Sequence, residues 1–298
     1  MFYLQNYDSQ AVALGGGRAY FPTVVKVGDK TCYIDGDEDT MDPTFVDDGN
    51  GGVTVQRNET RLVCTYNVTS TTEATKIVTV TNSFNSVEID GVEITPSTGY
   101  TFSSTGKHTV KFALKGSSIE GNLFNGAFES CVLLVSVTIP ASIGIGNKNF
   151  CNCSNLSSVF FHKPVSSISY DAFKNTPWYQ GYSAETSNQH DNIVYIDNTA
   201  YQATNTGITS CLFKEGTTRI GSYVCSGCTN LVSITIPNSV THIENAPFKD
   251  CTNLTTITYT GTVAQWKAFS VDRYPTWQQG IPSTTVITCS NGTCTLNE

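Results

Sequence analysis

The sequence is short of charge. Lys, Arg, Asp and Glu make up 14% of its 298 residues, with 17 basic against 25 acidic side chains and a formal net charge of -8. No basic stripe is available to follow a phosphate backbone or an anionic membrane surface, so nucleic acid is not an expected partner. No stretch approaches the 18 or so apolar residues of a membrane-spanning helix, so membrane insertion is not expected either. The first residues, MFYLQNYDSQAVALGGGRAYFP, lack a basic segment followed by an apolar one and do not read as a secretory signal. The expectation is a chain used without the general secretion route, with a signal trimmed beforehand as the alternative. Histidine is scarce, with four copies (His108, His162, His190 and His242), and no G-x-S-x-G nucleophile motif exists. Gly15–Gly17 lacks the Lys and Ser/Thr of a phosphate-binding loop. Glu129, Glu215, Glu244 and Asp250 are scattered and form no obvious opposed pair of carboxylates. A non-enzymatic chain is expected, with no catalytic residues, no cofactor and no metal. A carbohydrate-active enzyme carrying a repeat appendage is the least favoured alternative.

Cysteine, by contrast, is plentiful. There are 11, an odd number that cannot all pair within one chain. Cys225-x-x-Cys228 and Cys151-x-Cys153 resemble metal or redox motifs, but neither brings four ligands at zinc spacing. Core thiols, behaving as small hydrophobes, are the simpler expectation. Cys289 and Cys294 flank the turn Ser290–Thr293, and either a terminal disulfide or two free thiols fits that spacing. The acidic stretch 35–52 reads as a loop. Asp35, Asp37 and Asp39 have the alternate spacing of a calcium loop, but Thr40 and Val46 stand where glycine and glutamate belong.

The chain is organised around residues 218–263, where one sentence is written twice 23 residues apart: Cys228 aligns with Cys251, Leu231 with Leu254, Ile234 with Ile257 and Ile236 with Tyr259. Such self-similarity is the mark of a solenoid. The rule is Ile/Leu, Phe, Cys, Leu, Val/Ile and Ile/Phe/Tyr at fixed intervals. Its copies place Phe at 128, 150, 173 and 248, with Cys225 in the Phe position of the copy between the last two. The gap from 173 to 225 is one repeat plus about 29 residues and predicts a hairpin inserted into the solenoid, its strands flanking Asp197-Asn198, followed by another strand at Ile208–Lys214. In each copy the Leu-x-x-Val-x-Ile segment reads as a strand. Stacked strands give a parallel sheet, because one unit cannot bury its own apolar face. Residues 61–115 read as short strands of an antiparallel sandwich, immunoglobulin-like in the loose sense.

The phrase AF-x-x-C-x-x-L-x-x-I-x-IP-x-S-V resembles the BspA-like leucine-rich repeat, also called the Treponema pallidum-type repeat. The resemblance covers about residues 116–269. It implies a binding protein: members are mostly surface adhesins, and related repeats resemble proteins carried by phages of gut bacteria. Without an export signal, a virion protein is the leading expectation and a secreted bacterial surface adhesin the alternative. The expected fold is mainly β, with an N-terminal β region and small Ig-like sandwich followed by a leucine-rich-repeat solenoid with a parallel sheet. The expected divisions are 1–60, docking; 61–115, sandwich; 116–269, solenoid with a hairpin inserted near 180–217; and 270–298, C-terminal cap. The expected partners are other virion proteins, held by the N-terminal region, and a cell-surface or mucosal glycan or protein, held by the repeats. A homo-oligomer is compatible with the pattern.

Alternation along the strands sets an outward row of Ser136, Thr138, Ser158, Phe160, Ser233, Thr235, Thr256 and Thr258, with His162 just beyond. That row is either a solvated hydroxyl ladder or a ligand-facing surface.

Overall fold

The computed structural model describes residues 61–114, 125–140, 143–162, 165, 167–269 and 276–296, and the backbone of six short strands within residues 12–57. Two compact units divide at Thr60/Arg61. In the first, the described strands form three antiparallel pairs: Val12–Leu14 with Arg18–Tyr20, Thr23–Val27 with Lys30–Ile34, and Pro43–Asp47 with Val53–Arg57. The candidate calcium positions Asp35, Asp37 and Asp39 lie outside the described residues.

The second unit begins with antiparallel strands built on simple alternation. In Arg61–Val68 the side chains of Leu62, Cys64, Tyr66 and Val68 are buried and those between them are not. This strand pairs with Gly106–Leu114, which pairs with Phe84–Ile89, which pairs with Val92–Ile94. The Asp90-Gly91 turn between the last two takes the left-handed conformation at both residues (φ 49° and 87°), as a tight hairpin demands. Within the stretch 76–82, which reads as a strand in sequence, only Lys76 joins a sheet: Thr75–Lys76 pairs with Gly99–Tyr100, and Ile77 and Val78 are buried beyond it.

The expected boundary at 115/116 lies outside the described residues. On either side of it the structure is continuous. Arg61–Val68 pairs antiparallel with the first repeat strand, Leu134–Ile139, which pairs parallel with Ser158–Phe161. One six-stranded sheet therefore joins the antiparallel segment to the repeats. The core is continuous too: Phe84 and Phe112 (ring centroids 4.8 Å apart) lie 6.0 and 5.1 Å from Phe128, which heads the repeat ladder. Phe128, Phe150 and Phe173 then follow at 5.2 and 5.3 Å with nearly parallel rings.

The five coils that carry the repeat signature each turn on two left-handed residues, two before and two after the Phe position. The first set is Gly126, Lys148, Asp171, Tyr223 and Ala246; the second is Ser130, Asn152, Asn175, Gly227 and Asp250. Between them the Phe amide donates to the next coil, as in Phe128 N to Asn149 O and Phe150 N to Ala172 O. The Cys that follows closes the turn: Cys153 donates its S–H to the Phe128 carbonyl (3.0 Å), and Cys251 to the Cys225 carbonyl (3.1 Å). The repeated cysteine thus fills apolar space and also satisfies a carbonyl.

The third coil breaks the sheet. At its Cys position stands Thr176, fully buried. Its hydroxyl donates to the Phe173 carbonyl (2.8 Å) and accepts from the Tyr179 amide (3.1 Å), so it caps a helix rather than starting a strand. Pro177 occupies the first turn of that helix, Pro177–Ala184. Trp178 lays its ring against Phe173 (4.7 Å) and Phe161 (5.8 Å), and its amide donates to the Leu156 carbonyl.

The fourth coil is the one the sequence conceals. The hairpin Ile193–Ile196/Thr199–Ala203 turns at Asp197-Asn198, and its second strand belongs to the solenoid. Ala200 pairs parallel with Ile220, and the Ala203 amide donates to Val224 O, as a Phe amide does in other coils. Ile208, Cys211 and Phe213 then take the places of Leu, Ile and Ile, all buried, with Cys211 opposite Ile234. The insertion therefore amounts to the helix and the first hairpin strand, and it sits beside a complete coil.

A second sheet follows, in which Ser210–Leu212, Ser233–Ile236, Thr256–Tyr259 and Val286–Cys289 run parallel and Gly292–Thr295 returns antiparallel. Side chains of the inserted segment seal its first edge. The Leu212 amide donates to the Asp191 carboxylate and the Lys214 amide to the Tyr195 hydroxyl (2.9 Å). At the other end Trp266, on helix Val263–Phe269, is buried 5.3 Å from Tyr259 and 5.9 Å from Trp277.

Candidate binding face

The outward row does not form one continuous surface. Ser136 and Thr138 lie opposite Ser158 and Phe160 on the first sheet. Ser233 and Thr235 lie opposite Thr256 and Thr258 on the second. The sequence reading set these residues in a single row; the helix Pro177–Ala184, which replaces a strand in the third coil, divides them. Phe160 is 44% exposed, and its ring stands edge-on to His162 with centroids 5.0 Å apart.

The second group extends further than the sequence pattern indicates. Register places Ser210, Ser233, Thr256, Val286 and Thr295 in one line across the five strands. Leu212, Thr235, Thr258, Thr288 and Thr293 form the parallel line. Residues 286–295 lack the Phe and Leu of the repeat, so only the Val-x-Thr and Thr-x-Thr alternation marked them. All ten side chains project from the side opposite the buried Cys211, Ile234, Ile257, Ile287 and Cys294. None is charged.

The cysteines lie elsewhere, and the ten that are described are buried free thiols. Burial pushes Cys131 and Cys153 up to about 12, with neighbouring cysteine thiols adding to the rise. Cys225 is raised well above its ordinary value by hydrogen bonds to Cys211 and Cys228 and by burial. Cys225 and Cys228 thus sit in a thiol-lined core. Among the described residues no group of three or more His, Cys, Asp and Glu side chains is placed to hold a metal ion.

One arrangement has the outline of a hydrolytic triad. His108 Nδ1 lies 2.5 Å from Asp90 Oδ2, and Nε2 lies 3.4 Å from Ser104 Oγ. However, Nε2 is closer to the Ser104 carbonyl oxygen, at 3.0 Å. The nearest partner of Nε2 is thus a backbone oxygen rather than the hydroxyl that a general base would activate. The group clamps the 104–108 turn to Asp90, whose Oδ1 also accepts from the Thr109 amide. An open recess of about 310 Å³ is lined by Lys76, Thr79 and Gly99, and the Lys76 ammonium there donates to the Glu129 carbonyl.

The repeats match a known family. A family profile described as the BspA type leucine rich repeat region matches six copies over residues 80–188 and 179–274. That span starts inside the antiparallel segment and covers well over half of the chain. A solved structure described as the crystal structure of a T. pallidum leucine rich repeat protein is 25% identical; the match covers 45% of this chain and 50% of that one, with a TM-score of 0.21. The chain therefore aligns with about half of that protein's length. No curated protein matches the sequence. The six matched copies, the parallel ladders and the repeated Phe and Cys turns together show that the chain belongs to the BspA-type leucine-rich repeat family.

Proposed function

We propose that the chain is a non-enzymatic attachment protein that presents the outer faces of its repeat sheets to a surface partner. It is carried on a phage virion through residues 1–60. Repeats of this family form binding and adhesion scaffolds, and that much follows from membership. The observation that carries the reading is the outward array itself: a regular, uncharged set of Ser and Thr side chains on the second sheet. The described thiols support the virion part. They are free and buried, and Cys153 and Cys251 each donate an S–H hydrogen bond to a backbone carbonyl. Such a core suits folding in a reducing compartment, where a virion protein is assembled.

The test is quantitative protein analysis of purified phage particles alongside the surface fraction of the host bacterium. The chain is expected in particles at fixed stoichiometry. Its absence from particles, together with presence on the bacterial surface, would replace the virion reading with that of an exported adhesin.

A further inference from the structure

We propose that the five-stranded outer face from Ser210–Leu212 to Gly292–Thr295 binds a neutral polysaccharide. The proposal rests on the reading of the repeat array as an attachment surface and names its partner. Six of the ten outward side chains are Thr and two are Ser. Each hydroxyl both donates and accepts, so it matches a sugar hydroxyl in either orientation. The positions form a grid of roughly 4.8 Å between strands and roughly 6.7 Å along them. Threonine holds its branched side chain in few rotamers, which fixes that grid before any ligand arrives. Leu212 and Val286, 47% and 46% exposed, add apolar patches for the C–H faces of sugar rings.

Charge decides the class of partner. The array carries no Lys, Arg, Asp or Glu, although the chain as a whole carries a net charge of -8. A charged polymer laid on it would lose hydration with no counter-charge to replace it. A neutral polymer meets no such cost. The face also lacks Trp, Tyr and Arg, the usual anchors of protein interfaces. A periodic neutral hydroxyl-bearing chain fits these features better than a protein does.

The test is electrophoresis of the full chain through native gels containing mannan, dextran, laminarin or soluble starch, with alginate and dextran sulfate as charged comparators. At least one neutral polymer should retard the chain. The triple variant Thr235→Val, Thr258→Val, Thr288→Val keeps the branched shape and removes three hydroxyls. Its affinity should fall at least tenfold with an unchanged melting temperature. Should that variant melt lower, Thr258→Arg alone, at a position on the outer face, is expected to abolish retardation. Retardation by charged polymers only, or equal retardation of the wild type and the variants, overturns the proposal. If no neutral polymer retards the chain but a protein partner is bound and lost with Thr258→Arg, the attachment reading stands and the polysaccharide is refuted.

Discussion

Asn149 offers a sharp test of the packing logic, because the repeat supplies its own controls. The position just before the Phe site faces the core and holds Ala127, Asn149, Ala172, Val224 and Pro247 in the five coils that carry the repeat signature. Asn149 is 2% exposed, and its Oδ1 finds no hydrogen-bond partner. A buried acceptor left unsatisfied costs about 1–3 kcal/mol. Truncation to alanine removes that cost and opens a void of roughly 30 Å³, worth about 0.7 kcal/mol at about 24 cal/mol per Å³. Asn149→Ala should therefore stabilise the fold by about 1 kcal/mol, raising the melting temperature by about 2–4 °C for a unit of this size. The reciprocal changes Ala127→Asn and Ala172→Asn should each destabilise by about 1–3 kcal/mol. Thermal and urea denaturation followed by far-ultraviolet circular dichroism measure all three. If Asn149→Ala melts below the wild type while the reciprocal changes are neutral, the coils do not share one packing rule.

Two further predictions address the turns and the thiols. Gly227 is left-handed (φ 76°), and a Cβ there would meet nothing within 4 Å, so Gly227→Ala isolates the backbone cost and should destabilise by about 1 kcal/mol in urea titrations. A neutral result would show that the turn relaxes freely. Folded Cys131 and Cys153 are raised from 9.0 to about 12. Below pH 9 both states stay protonated and stability is unaffected. Between pH 9 and about 12 the unfolded chain loses these protons first. Stability should then fall by about 1.4 kcal/mol per thiol per pH unit. Denaturation midpoints measured from pH 8 to 11 check this, and a flat profile would contradict the burial of these thiols.

The repeat was legible in sequence wherever Phe, Cys, Leu and Ile kept their spacing, because those side chains stack on their own kind in the next coil. Of the turn residues, Gly126, Asn152, Asp171, Asn175, Gly227 and Asp250 are types that tolerate left-handed backbone. Lys148, Tyr223 and Ala246 gave no such sign, although they adopt it (φ 55°, 58° and 43°). The fourth coil was hidden because Ala203 stands in the Phe position and Cys211 and Phe213 replace the aliphatic pair. Its two halves also follow a hairpin that the local alternation describes equally well as a separate insertion. The helix at 177–184 carries Trp178, Tyr179 and Tyr182, types that favour strands. What decides the matter is the capping of the helix by Thr176 and Pro177. The union of Arg61–Val68 with Leu134–Ile139 could not be seen at all, since strand pairing across 70 residues leaves no periodic trace. The same limit hid six of the ten outward positions on the second sheet. Thr288, Thr293 and Thr295 join it through register alone.

If the uncharged outer grid of the second sheet is the attachment surface, substitutions there, and not elsewhere on the solenoid, abolish attachment. The most direct measurement is retention of the purified chain on immobilised mucus and on whole gut-bacterial cells, comparing the wild type with Thr235→Arg/Thr258→Arg and with Lys174→Glu. Lys174 is an exposed residue of the third coil that pairs with Asp171, away from the grid. At least a tenfold loss of retention is expected for the arginine pair and none for Lys174→Glu, with all three proteins folded. Retention that survives the arginine pair and is lost with Lys174→Glu would contradict it.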